Sequence, residues 1–443
     1  MRLPKLASVF VFFGCLAAYL MFVKRHYDDG RPTISKIPPH FHPRLGLTGS
    51  SNRPTSSEVV SGRFQYGVMF DAGSTGTRIH VFKFQLEDNE APKLAHESFR
   101  AIKPGLSAYA DEPEKCKKGI LELLDVAQSS IPSSMWNNTP VVLKATAGLR
   151  LLPGEKAKHL LDMVREVFAE SAFLSRGDSV SIMDGTDEGI SSLITTLSPA
   201  LFTGGLHGSD TPTVGMLDLG GGSTQITYSP RDEKTIQTSP IDYITSFQMF
   251  NSTHTLYSHS YLGLGLMSAR LAVLGGIEGQ PLEGSVTELV SPCLAPDYSG
   301  QWEHADVVYT VKGQKAGEPI YDSCYKKVEK MLYNKVKQAG EAKDMEFYAF
   351  SYYYDRAVDL GVIDEKTGGT VTVSDYIDGA KRGRTVPSEN HFLCLDLTYI
   401  SVILQELGFS KDKVFKLARK INEVETSWAL GATFHYIESF RRQ

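Results

Sequence analysis

Two glycine- and hydroxyl-rich turns, each preceded by an aspartate, hold the residues of this 443-residue chain best suited to chemistry. They read Asp71-Ala-Gly-Ser-Thr-Gly-Thr-Arg78 and Asp218-Leu-Gly-Gly-Gly-Ser-Thr-Gln225. Glycines let backbone N–H groups come close to an anion, and Ser/Thr hydroxyls add donors, so such a turn can cradle a phosphate. The aspartate supplies a carboxylate that holds a divalent cation directly or through its waters. One Asp-x-Gly after a strand is commonly a plain hairpin. The repeat of Asp, Gly and Ser-Thr in the same order points instead to two facing lobes that grip a phosphate chain and its metal.

A third segment offers a base. Asp184-Gly-Thr-Asp-Glu188-Gly follows the short apolar run Val180-Ser-Ile-Met183, with a helix expected from Ile190. A glutamate at a helix start often does no more than complement the helix dipole. The sharper reading places Glu188 in the cleft as general base for an attacking water. Hydrolysis of a phosphoanhydride needs neutralised phosphate oxygens, an in-line water and a group to orient and deprotonate it. Backbone donors of both turns, Arg78 and a cation can do the first; Glu188, with Ser223 and Gln225, can do the rest. No Ser-His-Asp or Cys-His set presents itself.

The elements that must position these groups are legible around them. Tyr66–Phe70 and Val214–Leu217 read as strands entering the turns, and Ile79–Phe82 and Ile226–Tyr228 as strands leaving them. Pro140–Arg150 reads as a strand running into a turn that carries Thr146 and Gly148. Apolar residues at helical spacing make Glu155–Glu170 an amphipathic helix.

Composition bounds the rest. The chain is long enough for two or three domains. Its 42% hydrophobic and 22% charged content is ordinary, and a net charge of −5 gives no reason to expect nucleic-acid binding. Leu6–Val23 is uncharged and flanked by Arg2, Lys5 and Lys24-Arg25-His26, which suits a membrane anchor. A cleaved signal peptide is the rival, with Cys15-Leu16-Ala17-Ala18 offering small residues. Residues 28–62, rich in Pro, Ser, Gly and Thr, read as a flexible stem. Asn137 and Asn251 head glycosylation triplets, which suits a lumenal address. Of five cysteines, Cys15 falls in the anchor. No Cys/His cluster suggests zinc, and Cys293 with Cys324 is the first choice for a disulfide.

At this point the chain resembles the apyrases, the ectonucleoside triphosphate diphosphohydrolases. The likeness rests on Asp71–Arg78, Lys144–Arg150, Ile182–Ile190, Asp218–Ile226 and Ser427-Trp-Ala-Leu-Gly431, in the family's order across residues 63–443. Tyr261–Arg270 and Phe350–Asp355 look like the single-anchor Golgi or secreted branch, members five and six, nearest to six. The resemblance implies an α/β, actin/hexokinase-like fold of two RNase H-like lobes with the active site between them. It implies a Ca²⁺ or Mg²⁺ ion whose waters are held by Asp71 and Asp218, with Thr146, Glu188 and Trp428 lining that shell. Ser74, Thr75 and Gly76, with Gly220, Gly221 and Gly222, would cradle phosphates, while Glu188, Ser223 and Gln225 position the water. A tyrosine near Phe347–Tyr354 would stack on the base, and Tyr354 is chosen for the polar Asp355-Arg356 beside it. The branch hydrolyses the terminal phosphate of nucleoside diphosphates (GDP, IDP and UDP) in preference to triphosphates, in the Golgi lumen or after secretion.

One departure stands out. The family's second disulfide uses a cysteine upstream of the one matching Cys394, and Gly379–His391 contains none. Cys394 is therefore free and buried, or bonded to Cys116. The expected organisation is an anchor over 1–27, a stem over 28–62, lobe I over 63–184 with a last helix from 420–443, and lobe II over 185–419. Nothing in the sequence fixes an oligomeric state, and a monomer is compatible with it. The alternatives are a broad tri- and diphosphate apyrase, a sugar or acetate kinase, an exopolyphosphatase-like enzyme, and a nucleotide-gated binding protein of the actin type. The lumenal signals and Glu188 after Gly-Thr-Asp favour hydrolysis.

Overall fold

The Tyr66–Phe70 run forms the middle of a strand buried on both faces, and that double burial explains its unbroken apolar character. The structure is a computed structural model that describes residues 63–86, 92–202, 214–249, 252–278, 288–305, 307–315, 320–382, 390–421 and 424–441. The anchor, the stem and Asn251 lie outside them. All described residues belong to one compact unit, Ser61–Gln443.

Strands β1 (Arg63–Ala72), β2 (Thr77–Leu86), β3 (Lys93–Ile102), β4 (Val141–Ala145) and β5 (Val180–Ile182) form a sheet of order β3-β2-β1-β4-β5. Its β1, β2 and β3 run antiparallel, and β4 and β5 continue parallel to β1. Alternate residues of β1 enter different cores, as the two-residue period of a strand requires. Val68, Phe70 and Ala72 pack with helices α1 (Cys116–Ser130) and α2 (Gly154–Glu170). Met69 turns to the opposite face.

The second sheet repeats the plan. Strands β6 (Val214–Leu219), β7 (Ser223–Tyr228), β8 (Ile244–Met249) and β9 (Ser252–Leu262) are antiparallel neighbours in the order β6-β7-β9-β8. Beyond the small sheet of β10 (Glu288–Ser291), β11 (Ser299–His304) and β12 (Val307–Gly313), strand β13 (Glu346–Ser351) pairs parallel with β6. Strands β14 (Gly369–Thr372) and β15 (Val414–Leu417) complete the far edge. Two sheets of this shared topology, flanked by helices, are the duplicated α/β architecture expected from the paired turns.

Helix α3 (Gly185–Phe202) covers one face of the second sheet through Ile190, Leu193, Ile194 and Leu197 against Met216, Leu256 and Phe350. Its buried Ser192, Thr195 and Thr196 satisfy their hydroxyls on carbonyls four residues earlier, at 2.9–3.1 Å. A polar helix can therefore be buried without orphaned donors. The expected start at Ile190 is wrong by more than a turn. The Asp184 carboxylate accepts the Thr186 N–H at 2.7 Å, and Asp187 and Glu188 sit in the first turn where the dipole favours acids.

The last helix is also corrected. After helix α4 (Tyr352–Asp359), the chain makes a two-residue ladder of β16 (Lys420–Ile421) with β17 (Val424–Glu425), and helix α5 begins only at Ala429, running to Arg441. The Ser427 hydroxyl accepts the Ala429 N–H at 3.2 Å, which fixes that start. Helix α5 covers the second face of the first sheet through Leu430 and Ile437, packed with Met69, Phe82, Phe84 and Val142. It crosses α3 at Gly431, where a Cβ would lie 2.1 Å from the Ser191 carbonyl oxygen. Only glycine lets the helices come this close, and the Gly431 N–H donates to Thr195 Oγ1 at 3.0 Å.

Candidate active site

The two aspartate turns are equivalent hairpins, one on each sheet. Residues 73–76 join the first pair of strands and 220–222 the second, and each turn closes the same way: the Gly73 N–H donates to the Gly76 carbonyl and the Gly220 N–H to the Ser223 carbonyl, both at 3.0 Å. The strand registers pair Asp71 with Arg78, and Asp218 with Gln225. The hairpin tips meet closely enough that a Cβ on Gly221 would stand 2.4 Å from Ser74 Oγ. Between the hairpins opens a cleft of about 470 Å³, lined by Asp71, Ser74, Thr75, Arg78, Thr146, Glu188, Asp218, Gly220–Ser223 and Trp428. This volume suits a nucleotide-sized ligand.

Glu188 is held in place from behind. Arg150 Nη2 donates to Glu188 Oε2 at 2.7 Å and to Ser223 Oγ at 3.1 Å, and its Nη1 donates to the Met183 carbonyl at 3.0 Å. Gln225 Nε2 donates to Ser223 Oγ at 2.8 Å and Ser260 Oγ at 2.9 Å, with Glu188 Oε2 at 3.3 Å. One carboxylate oxygen is thus engaged by the protein and Oε1 is left for the cleft. Burial pushes the Glu188 carboxyl up to about 7, Arg150 opposes that rise, and the fields of Asp218 and Asp71 reinforce it. A carboxyl with this pKa is poised to take a proton near neutrality. Arg150 escaped the sequence reading because its partners lie 33, 38 and 73 residues away in the chain.

Several expected residues are placed differently. Gln225 is fully buried and sits one layer behind the cleft wall, so it orients Glu188 and Ser223 rather than facing the cleft. Gly76 is set back as well; its carbonyl closes the turn, and Gly73 lines the cleft in its place. Tyr354 lines the cleft but is only 5% exposed, with its hydroxyl donated to the Glu365 carbonyl. The more open Tyr352 lies nearer the phosphate turn, its hydroxyl beside Thr75. Ser351, the last residue of β13 before α4, is held at φ 58°, a costly conformation for a non-glycine residue and one that recurs at functional sites. Cys293 and Cys324 are bonded. Cys116 and Cys394 are free, which excludes a bond between them, and burial raises both thiols to about 11. Asn137 is exposed.

The donor chemistry fits a hard divalent cation. Asp218 Oδ1 is buried with no partner, and burial beside Asp71 raises the Asp218 carboxyl, so an added positive charge would relieve both. Asp71 gives Oδ2 to Arg78 Nη1 at 3.0 Å. Among the described residues no three His, Cys, Asp or Glu converge to hold an ion directly.

Residues 58–443 match the GDA1/CD39 (nucleoside phosphatase) family. The chain belongs to this family. It is similar to ectonucleoside triphosphate diphosphohydrolase 6 of Mus musculus, 59% identical over 382 residues, covering 85% of this chain and 83% of the relative. It is similar also to ectonucleoside triphosphate diphosphohydrolase 5 of Gallus gallus (50% over 380 residues; 84% and 88% covered). The nucleoside diphosphate phosphatase ENTPD5 of Homo sapiens is 49% identical over 386 residues (86% and 89% covered). The fold matches the crystal structure of nucleoside triphosphate hydrolases from Neospora caninum with a TM-score of 0.56 at 14% identity, over 86% of this chain and 94% of that one. The chain is thus a hydrolase of the nucleoside phosphatase family, with the two-lobed fold expected from its paired turns.

Proposed function

We propose that this hydrolase removes the terminal phosphate of nucleoside diphosphates, GDP, IDP and UDP ahead of triphosphates, by direct attack of water. The observation that carries the reading is Glu188, buried, raised toward neutrality and aimed into a cleft between two phosphate-cradling hairpins. Ser223 Oγ accepts N–H bonds from Arg150 and Gln225, so its own proton is free to be donated into the cleft. Water attacks the terminal phosphorus and gives a proton to Glu188 Oε1. The bond from that phosphorus to the bridging oxygen breaks, and the monophosphate leaves with the oxygen. Ser74, Thr75 and the backbone N–H groups of Gly220, Gly221 and Gly222 hold phosphate oxygens, with Arg78 as cationic neighbour. Asp71, Asp218 and Thr146, beside Trp428, would hold a Ca²⁺ or Mg²⁺ ion through its waters, and that ion would supply charge neutralisation on the phosphates. Tyr354 offers the aromatic wall for the base.

The name of one relative cited above, the nucleoside diphosphate phosphatase of Homo sapiens, supports diphosphate chemistry. The cellular setting in this proposal, a Golgi-lumenal or secreted protein anchored by Leu6–Val23 and glycosylated at Asn137 and Asn251, is supported by the resemblance and by the anchor and triplets in the sequence. The test is phosphate release by the purified full chain from GDP, IDP, UDP, ADP and ATP with Ca²⁺, Mg²⁺ or EDTA. Metal-dependent release favouring GDP, IDP and UDP is expected. Equal or faster release from ATP would overturn the diphosphate preference, and activity undiminished by EDTA would overturn the metal.

A further inference from the structure

Asp355 is a carboxylate in the cleft wall that the hydrolytic apparatus leaves unused. It lies in the first turn of α4, lines the same cleft as the phosphate turns and is exposed to it. Among the described residues its carboxylate makes no hydrogen bond and no ion pair. The cations around it are committed elsewhere. Arg356 donates to Asp396 at 2.8 Å and to Asp359 at 2.7 Å, Arg78 to Asp71 at 3.0 Å, and Arg419 Nε lies 3.5 Å from Glu425. The wall around Asp355 also strips part of its water, which raises its carboxyl from the usual range. An unpartnered carboxylate in a concave wall is arranged for a donor that arrives with the ligand.

Position says which part of the ligand that is. Tyr352, three residues earlier on α4, has its hydroxyl against Thr75 of the phosphate turn. Three helical residues advance the wall by ~5 Å, so Asp355 faces what lies next to the phosphates along the cleft. In a nucleotide bound by its phosphates, that unit is the ribose. A carboxylate is an acceptor-only group with two oxygens, and a ribose offers two neighbouring hydroxyl donors. Carboxylates read ribose hydroxyls in this way in dinucleotide-binding folds.

We infer that Asp355 is a specificity-determining residue that accepts hydrogen bonds from the ribose 2′- and 3′-hydroxyls of the substrate, an assignment that rests on the nucleotide-hydrolase reading above. The residue distinguishes ribonucleotides from their deoxy counterparts, and takes no part in the proton transfer at Glu188.

The experiment measures kcat/KM of the full chain for GDP, 2′-deoxy-GDP and 3′-deoxy-GDP, beside its Asp355→Ala and Asp355→Asn variants. Removing a hydroxyl is expected to cost the unmodified chain roughly 10- to 100-fold, mostly in KM, because hydrogen bonds to a charged acceptor are the strong ones. Asp355→Ala should lose a similar factor on GDP and show no further loss on the deoxy substrates, with Asn falling between. A deoxy penalty that survives in Asp355→Ala, or is absent from the unmodified chain, overturns the assignment. An equal fall on all three substrates overturns it too. Failure of the unmodified chain to release phosphate from any diphosphate would instead sink the hydrolase reading, and this assignment with it.

Discussion

Replacing Glu188 by Gln keeps its volume and its hydrogen-bond acceptor for Arg150 but removes the charge, and two opposite effects follow. The folded carboxyl titrates at about 7 against an ordinary 4.5. It therefore holds its proton more tightly folded than unfolded, and stability falls as pH rises through that window. Above pH 7 the full cost is present, ~3 kcal/mol for a difference of this size. Gln never ionises and escapes it. Urea unfolding of the metal-free protein should find the variant more stable by up to ~3 kcal/mol at pH 8, with the gain gone near pH 4.5. Phosphate release from GDP should meanwhile fall roughly 10²–10⁴-fold, the usual contribution of a general base. A variant no more stable than the parent at pH 8 would refute the account of a costly buried charge. One active within a few-fold of the parent would refute Glu188 as the base.

Arg150 is the main force holding the Glu188 carboxyl down against burial. In Arg150→Gln the acid limb of the kcat–pH profile should move up by about 1–3 pH units, leaving little activity at pH 7 and partial recovery toward pH 9. A uniform loss at every pH would show that Arg150 only supports the fold. The Cys293–Cys324 bond closes a 31-residue separation outside the cleft. Cys293→Ser should lower stability by ~3–4 kcal/mol, read as a lower urea midpoint, with the KM for GDP unchanged. An unchanged midpoint would mean that the bond does not constrain the unfolded chain.

The parts of the site that could be read from the sequence are those whose logic is local. The Asp, Gly and Ser/Thr spacing of both hairpins, and the apolar runs leading into them, depend only on neighbours in the chain. So does the apolar stripe of α2, expected over Glu155–Glu170 and found over Gly154–Glu170. What escaped depends on distant partners. Arg150 gains its meaning from Glu188 and Ser223, which only folding brings to it. The early start of α3 was hidden because Asp184-Gly-Thr-Asp reads as a turn, while the cap and dipole that make it a helix act through geometry. The β16–β17 ladder was hidden in a stretch whose polar residues suit a helix equally well. Glu97 Oε2 accepts the Glu425 N–H at 3.0 Å and draws this segment to the first sheet, a contact 328 residues apart in the chain.

The paired hairpins have a further consequence. Two identical frames facing each other would receive a phosphate chain equally well in either sense. Here the frames close by the same backbone hydrogen bond but differ in their side chains, and one difference lies across the ladders, where Asp71 faces Arg78 and Asp218 faces Gln225. One frame ends in a charge pair, and the other backs a neutral relay of amide and hydroxyl onto Glu188. On the hydrolase reading that inequality gives the cleft a polarity. A phosphate chain enters with a head and a tail, and one end alone is presented to the water.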